Sequence, residues 1–227
     1  MTASPALALS NQFPVPLDEK QFYRGVSELA QRDADLAGVV TQYGPPPLWV
    51  REPGFPTLVY IILEQQVSLA SAKAAFDRLS AAVRPLTPGR FLKLSDGELK
   101  CIGFSRQKTH YTRLLAEAIA KRRLNLTALH EMNDDAARER LVALKGIGPW
   151  TADIYLLSAL RRPDIWPVGD LALAVAVEKV KKLRKRPSPE RLEKISAPWR
   201  PWRAVAARMF WHHYLSERGA RSASVSH

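Results

Sequence analysis

The stretch LKGIGPWTA, Leu144 to Ala152, decides how the rest of the chain is read. Two glycines bracket one isoleucine, and a proline and a tryptophan follow directly. Upstream, NDDAARERLVALKG (residues 133–146) offers Asn133 as an N-cap, acids in the first turn and Gly146 just past the end. That pattern predicts a helix ending at Lys145. Downstream, Pro149 opens a second helix, since the N–H that proline lacks would be unpaired in a first turn anyway. Gly146 and Gly148 permit positive φ and close backbone approach, and Ile147 can plug the core between them. Helix, tight turn and helix make a helix-hairpin-helix over about residues 133–160. The N–H groups at the start of its second helix form an anion site suited to a DNA phosphate. A plain αα-hairpin with a glycine cap is the alternative.

Working outward, the organisation is helical almost throughout. EKQFYRGVSELAQRDADLAGVV (19–40) has helical spacing and stops before YGPPP. FPTLVYIILEQQ (55–66) and VSLASAKAAFDRLSAAV (67–83) give two more helices, the second ending before Pro85. SRQKTHYTRLLAEAIAKRR (105–123) places Tyr111, Leu114, Leu115 and Ile119 at helical intervals behind Ser105 as N-cap. Further helices open near Asp170, Ser188 and Pro201. Neither an internal repeat nor a βαβ alternation is visible. The predicted class is all-α, with residues 1–18 an extended lead-in, 19–217 the helical core and 218–227 a frayed tail.

Composition narrows the function. Among 227 residues, 46% are hydrophobic and 25% charged, as in a soluble globular protein, and no apolar run reaches the ~18 residues of a spanning helix. The first twenty residues lack a basic n-region and are broken by prolines, so no signal peptide is expected. Cys101 is the one cysteine, which excludes an internal disulfide and a four-cysteine cluster and makes a cytoplasmic location the default. Lys and Arg number 34 against 22 acids, a net charge of +12. The excess concentrates in Lys100–Arg123, where Glu117 is the lone acid, and in Lys179–Arg203, with Glu190 and Glu193. A polyanion is the natural partner, and nucleic acid the commonest. A membrane surface or a merely solvated basic face is the alternative.

With those residues in view, LKGIGPWTADIYLLSALRRPDIWPVGDLAL (144–173) resembles the core signature of the helix-hairpin-helix DNA glycosylases. It is most similar to the 3-methyladenine (alkylpurine) DNA glycosylase II branch. ILEQQVS (Ile62–Ser68), GFSRQK (Gly103–Lys108) and WRPWRAVAARMFW (Trp199–Trp211) agree with that branch. The resemblance implies two helical subdomains with a cleft between them, and a monomer acting on double-stranded DNA that carries a damaged base. No cofactor and no resident metal are implied, though a monovalent cation at the hairpin is compatible with DNA binding.

The same resemblance assigns roles to residues. Asp170, after the Pro/Gly loop of WPVGDLALAVAV, matches the catalytic carboxylate. An anion beside C1′ stabilises the oxocarbenium-like state of glycosidic cleavage. By sequence alone an Asp there also reads as a helix N-cap. Asp153 and Asp164 do not match the family position. Gly169 stands where relatives often carry another acid. Trp150 and Trp211 match the pocket for a cationic base, where an electron-rich ring gains cation–π attraction; core packing is the alternative for Trp211. Gln66 matches the wedge that fills the hole left by a flipped base, with an ordinary helix-surface glutamine as the alternative. Lys145, Gly146, Ile147, Gly148 and Thr151 match the DNA-backbone site. Trp199 and Trp202 are assigned to packing, with Arg200 and Arg203 available to DNA. Glu64 stands where relatives often have glycine, and nothing in the sequence accounts for it. Bifunctional families carry a Schiff-base lysine just before the hairpin threonine. Trp150 occupies that place here, so hydrolysis without strand cleavage is implied. Two rivals remain: a glycosylase for neutral lesions such as hypoxanthine or uracil, with His110, His212 or His213 as a proton donor, and a non-catalytic lesion-binding protein on this scaffold.

Overall fold

The computed structural model describes residues 15–224, with no side-chain description beyond Gly219. Twelve α-helices and two short 3-10 turns account for the regular structure of these residues. In chain order they are α1 (Glu19–Arg32), α2 (Ala34–Tyr43), α3 (Phe55–Glu64), α4 (Leu69–Ala82), α5 (Pro88–Phe91) and α6 (Asp96–Ile102). There follow α7 (Arg106–Ala120), α8 (Asp134–Val142), α9 (Pro149–Ser158), α10 (Leu171–Val180), α11 (Pro189–Ser196) and α12 (Arg203–Ser224). The all-helical class is as the sequence implies.

Packing sorts the helices into two groups. The middle of the chain forms one: α3 packs on α4, α7 and α9, α8 on α9, and α5 and α6 on α7. Segments from both ends form the other: α1 and α2 pack on each other and on α12, and α10 packs on α12 and α2. Two helices anchor the central group because they are apolar all round, a composition that demands burial. In α9 every residue from Thr151 to Ser158 is buried, and in α3 all but Pro56 and Tyr60 are. The buried residues form one continuous hydrophobic cluster across both groups.

Several boundaries differ from the periodicity. One helix is predicted over residues 19–40, and the structure divides it at Asp33, whose extended backbone (φ −138°) ends α1 and starts α2. The Asp33 carboxylate accepts from the Asp35 and Leu36 N–H groups, from Lys181 Nζ at 2.6 Å and from Trp199 Nε1 at 2.8 Å. A carboxylate with that many donors outweighs one turn of helix. The helix predicted to end at Lys145 stops at Val142, and the last helix begins at Arg203 rather than Pro201. It runs on to Ser224, so most of the tail predicted to fray from residue 218 is helical. Residues 1–14 of the predicted lead-in and 225–227 of the tail lie outside the described residues. No helix among the described residues is long and apolar enough to cross a membrane.

Candidate functional site

The hairpin turn starts where α8 stops. Gly146 has φ +97°, and the Tyr111 ring packs so closely that an added Cβ would lie 2.2 Å from its Cγ. Both facts require glycine there. Ile147 is buried and its N–H donates to Leu144 O. Gly148 is different from the expectation: its φ of −86° suits any residue, and nothing lies within 4 Å of where a Cβ would be. Its value is open space. No side chain caps the start of α9. The first-turn N–H groups have no intrahelical acceptor and stay available to an anion. Lys145 is exposed beside them. Thr151 is not: it is 1% exposed, and its hydroxyl accepts from Gln65 Nε2 at 3.0 Å. Only its backbone, not its hydroxyl, is placed to meet a phosphate.

Asp170 closes the loop after α9 as the N-cap of α10, accepting from Leu173 N–H at 2.7 Å through Oδ1. Two indoles meet the same carboxylate. Trp150 Nε1, from α9, donates to Oδ2 at 2.9 Å, and Trp211 Nε1, from α12, donates to Oδ1 at 3.1 Å. The N-cap reading and the functional one are therefore compatible. Trp150 comes from the central group of helices, Trp211 and Asp170 from the terminal group, so the carboxylate sits on the seam between them. Each ring turns its N–H edge to Asp170, which leaves its faces directed to either side. All three residues are half-buried, and no cationic side chain pairs with Asp170 among the described residues. Gly169 is exposed, and a Cβ there would touch Trp150 Cβ at 3.7 Å, an ordinary contact.

The competing aspartates are occupied. Asp153 is buried and its Oδ1 accepts from Arg138 Nε at 2.6 Å, while burial pushes its carboxyl up to about 6. Asp164 accepts from Arg203 Nε at 2.9 Å and from Arg200 at 2.8 Å. Arg203 is thereby largely taken up by Asp164, with its side chain 12% exposed, whereas Arg200 gives it one N–H and keeps most of its side chain exposed. Trp199 and Trp202 do pack, the first buried against Trp166 and Phe210, the second against Gly25 with its N–H on Glu28. His212 Nε2 lies 3.1 Å from Tyr43 O, and His213 is held below the usual histidine range by burial. Neither points a proton at Asp170 or its surroundings in any contact of this structure. His110 belongs to an open hollow between α6 and α7, with Lys100 and Arg106; a second hollow follows Leu183 to Arg191. Neither hollow borders Asp170.

Gln66 ends α3's exit turn, exposed, with φ +56°. Its neighbours carry partners that the sequence does not announce. Glu64 makes a double hydrogen bond with Arg51 at 2.9 and 2.7 Å, and Arg51 lies over the Tyr60 ring. That pair accounts for an acid where glycine is usual. Among the described residues no group of three or more His, Cys, Asp or Glu is gathered to hold a metal.

A family description fits this geometry. The family model described as "HhH-GPD superfamily base excision DNA repair protein" matches residues 59–201, more than half the chain. The chain belongs to the HhH-GPD superfamily. One relative in it is a DNA-3-methyladenine glycosylase of Bacillus subtilis, 30% identical over 122 residues, 54% of this chain and 40% of that protein. Another is the alkylbase DNA glycosidase-like protein mag2 of Schizosaccharomyces pombe, 24% identical over 200 residues, covering 85% of this chain and 94% of that one. The fold matches that of the S. pombe 3-methyladenine DNA glycosylase bound to abasic DNA, with a TM-score of 0.73 at 24% identity over 83% of this chain and 95% of that one. This HhH-GPD chain spans well under two thirds of the B. subtilis glycosylase.

Proposed function

We propose that the protein is a base-excision DNA glycosylase that removes cationic alkylated purines, of the 3-methyladenine and 7-methylguanine type, and leaves the strand uncut. The observation that carries this reading is Asp170: a carboxylate held by three N–H donors, without a counter-cation among the described residues, on the seam beside an uncapped helix start. Phosphate binds the N–H groups of the hairpin, with Lys145 alongside. The damaged nucleotide leaves the stack, and Gln66 enters the gap. The C1′–N bond breaks, its electron pair leaves with the base, and positive charge develops on the sugar facing Asp170. Water then adds at C1′ and loses a proton, giving an abasic site. A cationic purine leaves as a neutral molecule and needs no proton donor, which suits a carboxylate that no histidine meets among the described residues. The lysine amine needed for a Schiff base is replaced by Trp150, whose N–H serves Asp170 instead.

The test uses duplexes carrying 7-methylguanine, alkylated genomic DNA, and duplexes carrying hypoxanthine or uracil, with released base measured by chromatography. Release of methylated purines, strand breaks only after alkali, and no borohydride-trapped adduct are the expected results. A hypoxanthine rate equal to the methylpurine rate, or efficient trapping, would replace this reading by the neutral-lesion or lyase one. Binding without release would favour the non-catalytic one.

A further inference from the structure

The backbone leaving α3 is fixed at three successive residues by three different parts of the fold. Leu63 O accepts from Lys108 Nζ of α7 at 2.7 Å. Glu64 holds Arg51 of the preceding loop. Gln65 Nε2 donates both to Gly146 O and to Thr151 Oγ1, each at 3.0 Å. An amide nitrogen carries two protons, so both bonds form at once. Their acceptors lie on either side of the hairpin turn: Gly146 at its left-handed corner, Thr151 in the first turn of α9. Immediately after this tie the chain turns left-handed at Gln66, whose side chain is exposed and makes no hydrogen bond among the described residues. A non-glycine residue persists in that conformation only where its surroundings over-determine it.

We infer that Gln65 is a positioning residue that couples the phosphate-gripping hairpin to the Gln66 turn, so that clamping the backbone and seating the wedge become one event. This rests on reading Gln66 as the wedge. The hairpin turn and the wedge turn come from α8–α9 and α3–α4, separated by most of the central group in sequence, and a single amide bridges them. A displacement of the Gly146 carbonyl on phosphate binding therefore pulls directly on the residue before Gln66.

The coupling is tested on the full chain with a duplex in which 2-aminopurine stands opposite a tetrahydrofuran abasic analogue, so that insertion is read by fluorescence without any excision. Gln65→Ala is expected to bind this duplex within about threefold of the wild type, because the hairpin N–H groups are untouched, yet to lose most of the fluorescence response, as Gln66→Ala does. Gln65→Glu, which keeps the shape but cannot donate, behaves like Gln65→Ala. Thr151→Val, which removes one acceptor, falls between. Excision of 7-methylguanine from duplex drops about tenfold in Gln65→Ala, whereas excision from single strand, which leaves no hole to fill, is unchanged. A full fluorescence response in Gln65→Ala overturns the inference. So does a parallel loss of melting temperature, binding and single-strand excision, which marks a merely structural tie. A wild type that inserts but excises nothing sinks the glycosylase reading and leaves the coupling standing.

Discussion

Asp153 and Asp170 stand on either side of one loop, and the fold treats their carboxylates in opposite ways. Asp153 is buried and faces a guanidinium, Arg138, at 2.6 Å. Asp170 is half-buried and faces two indole N–H groups and one backbone N–H. A carboxylate matched by a cation is satisfied and serves packing. One held by neutral donors is oriented but not neutralised, and it can meet a positive charge that arrives from outside. The difference leaves Asp170, and not Asp153, with a carboxylate that no internal side-chain cation among the described residues matches.

The sharpest way to break the comparison is Asp170→Asn. The amide can still cap Leu173 N–H, so folding and binding of an abasic-analogue duplex should hold within severalfold. Single-turnover excision should fall by roughly 10²–10³, the loss typical of removing one preorganised electrostatic partner. Asp153→Asn should do the reverse, leaving excision per folded molecule unchanged and altering only stability. Asp153 also has a pH signature. Its folded carboxyl, at about 6, lies above the unfolded value, so the protonated form is favoured by folding. The stabilising contribution is full below about pH 4 and is lost as pH rises through about 6. The wild type should thus lose melting temperature relative to Asp153→Asn across that window, by differential scanning calorimetry. A flat difference would mean that Arg138 holds the carboxylate ionised throughout.

Trp150→Phe sharpens the other side. It keeps a ring but removes one N–H from Asp170, and a hydrogen bond to a charged group is worth ~1.5–3 kcal/mol, so excision should slow about tenfold or more. Trp211→Ala should cost more on cationic purines than on any neutral lesion cut at all, by several-fold, given ~0.5–2 kcal/mol per cation–π contact. The smallest effect concerns charge. Arg184, Lys185 and Arg186 are exposed, whereas Lys181 pairs with Asp33 and Asp35 and Arg203 with Asp164. Neutralising an exposed residue that touches phosphate should flatten the log–log salt slope of DNA binding by up to ~0.9, and replacing Lys181 should leave it alone.

Local chemistry explains what was legible from the sequence. The hairpin and Asp170 as a cap rest on glycine, proline and N-cap signals within a few residues; Trp150 and Trp211 were marked by the family resemblance, and only the fold shows that both N–H groups meet Asp170. The Ser95/Glu98 capping box marks α6 just as locally, but apolar periodicity alone passes over so short a helix. Other features were out of reach because their cause is distant. The α1–α2 break depends on Lys181 and Trp199, and the fate of Arg200 and Arg203 depends on Asp164. Gln65 and Gln66 are adjacent and identical in type. Only the fold shows that one faces the hairpin and the other solvent.

The terminal group of helices also has a history in time. Phe22, Leu29 and Leu36 are fully buried, and they belong to helices whose partner α12 begins at Arg203. During synthesis at ~5–20 residues per second, the stretch from Tyr43 to Arg203 takes roughly 10–30 s to appear. The central helices can fold around α3 and α9 as they emerge. The first two can pack on each other at once, but the faces they turn to α12 stay uncovered until it emerges, and the seam that carries Asp170 is finished only then. A chain stopped before that point lacks Trp211, and with it one of the three N–H donors to Asp170.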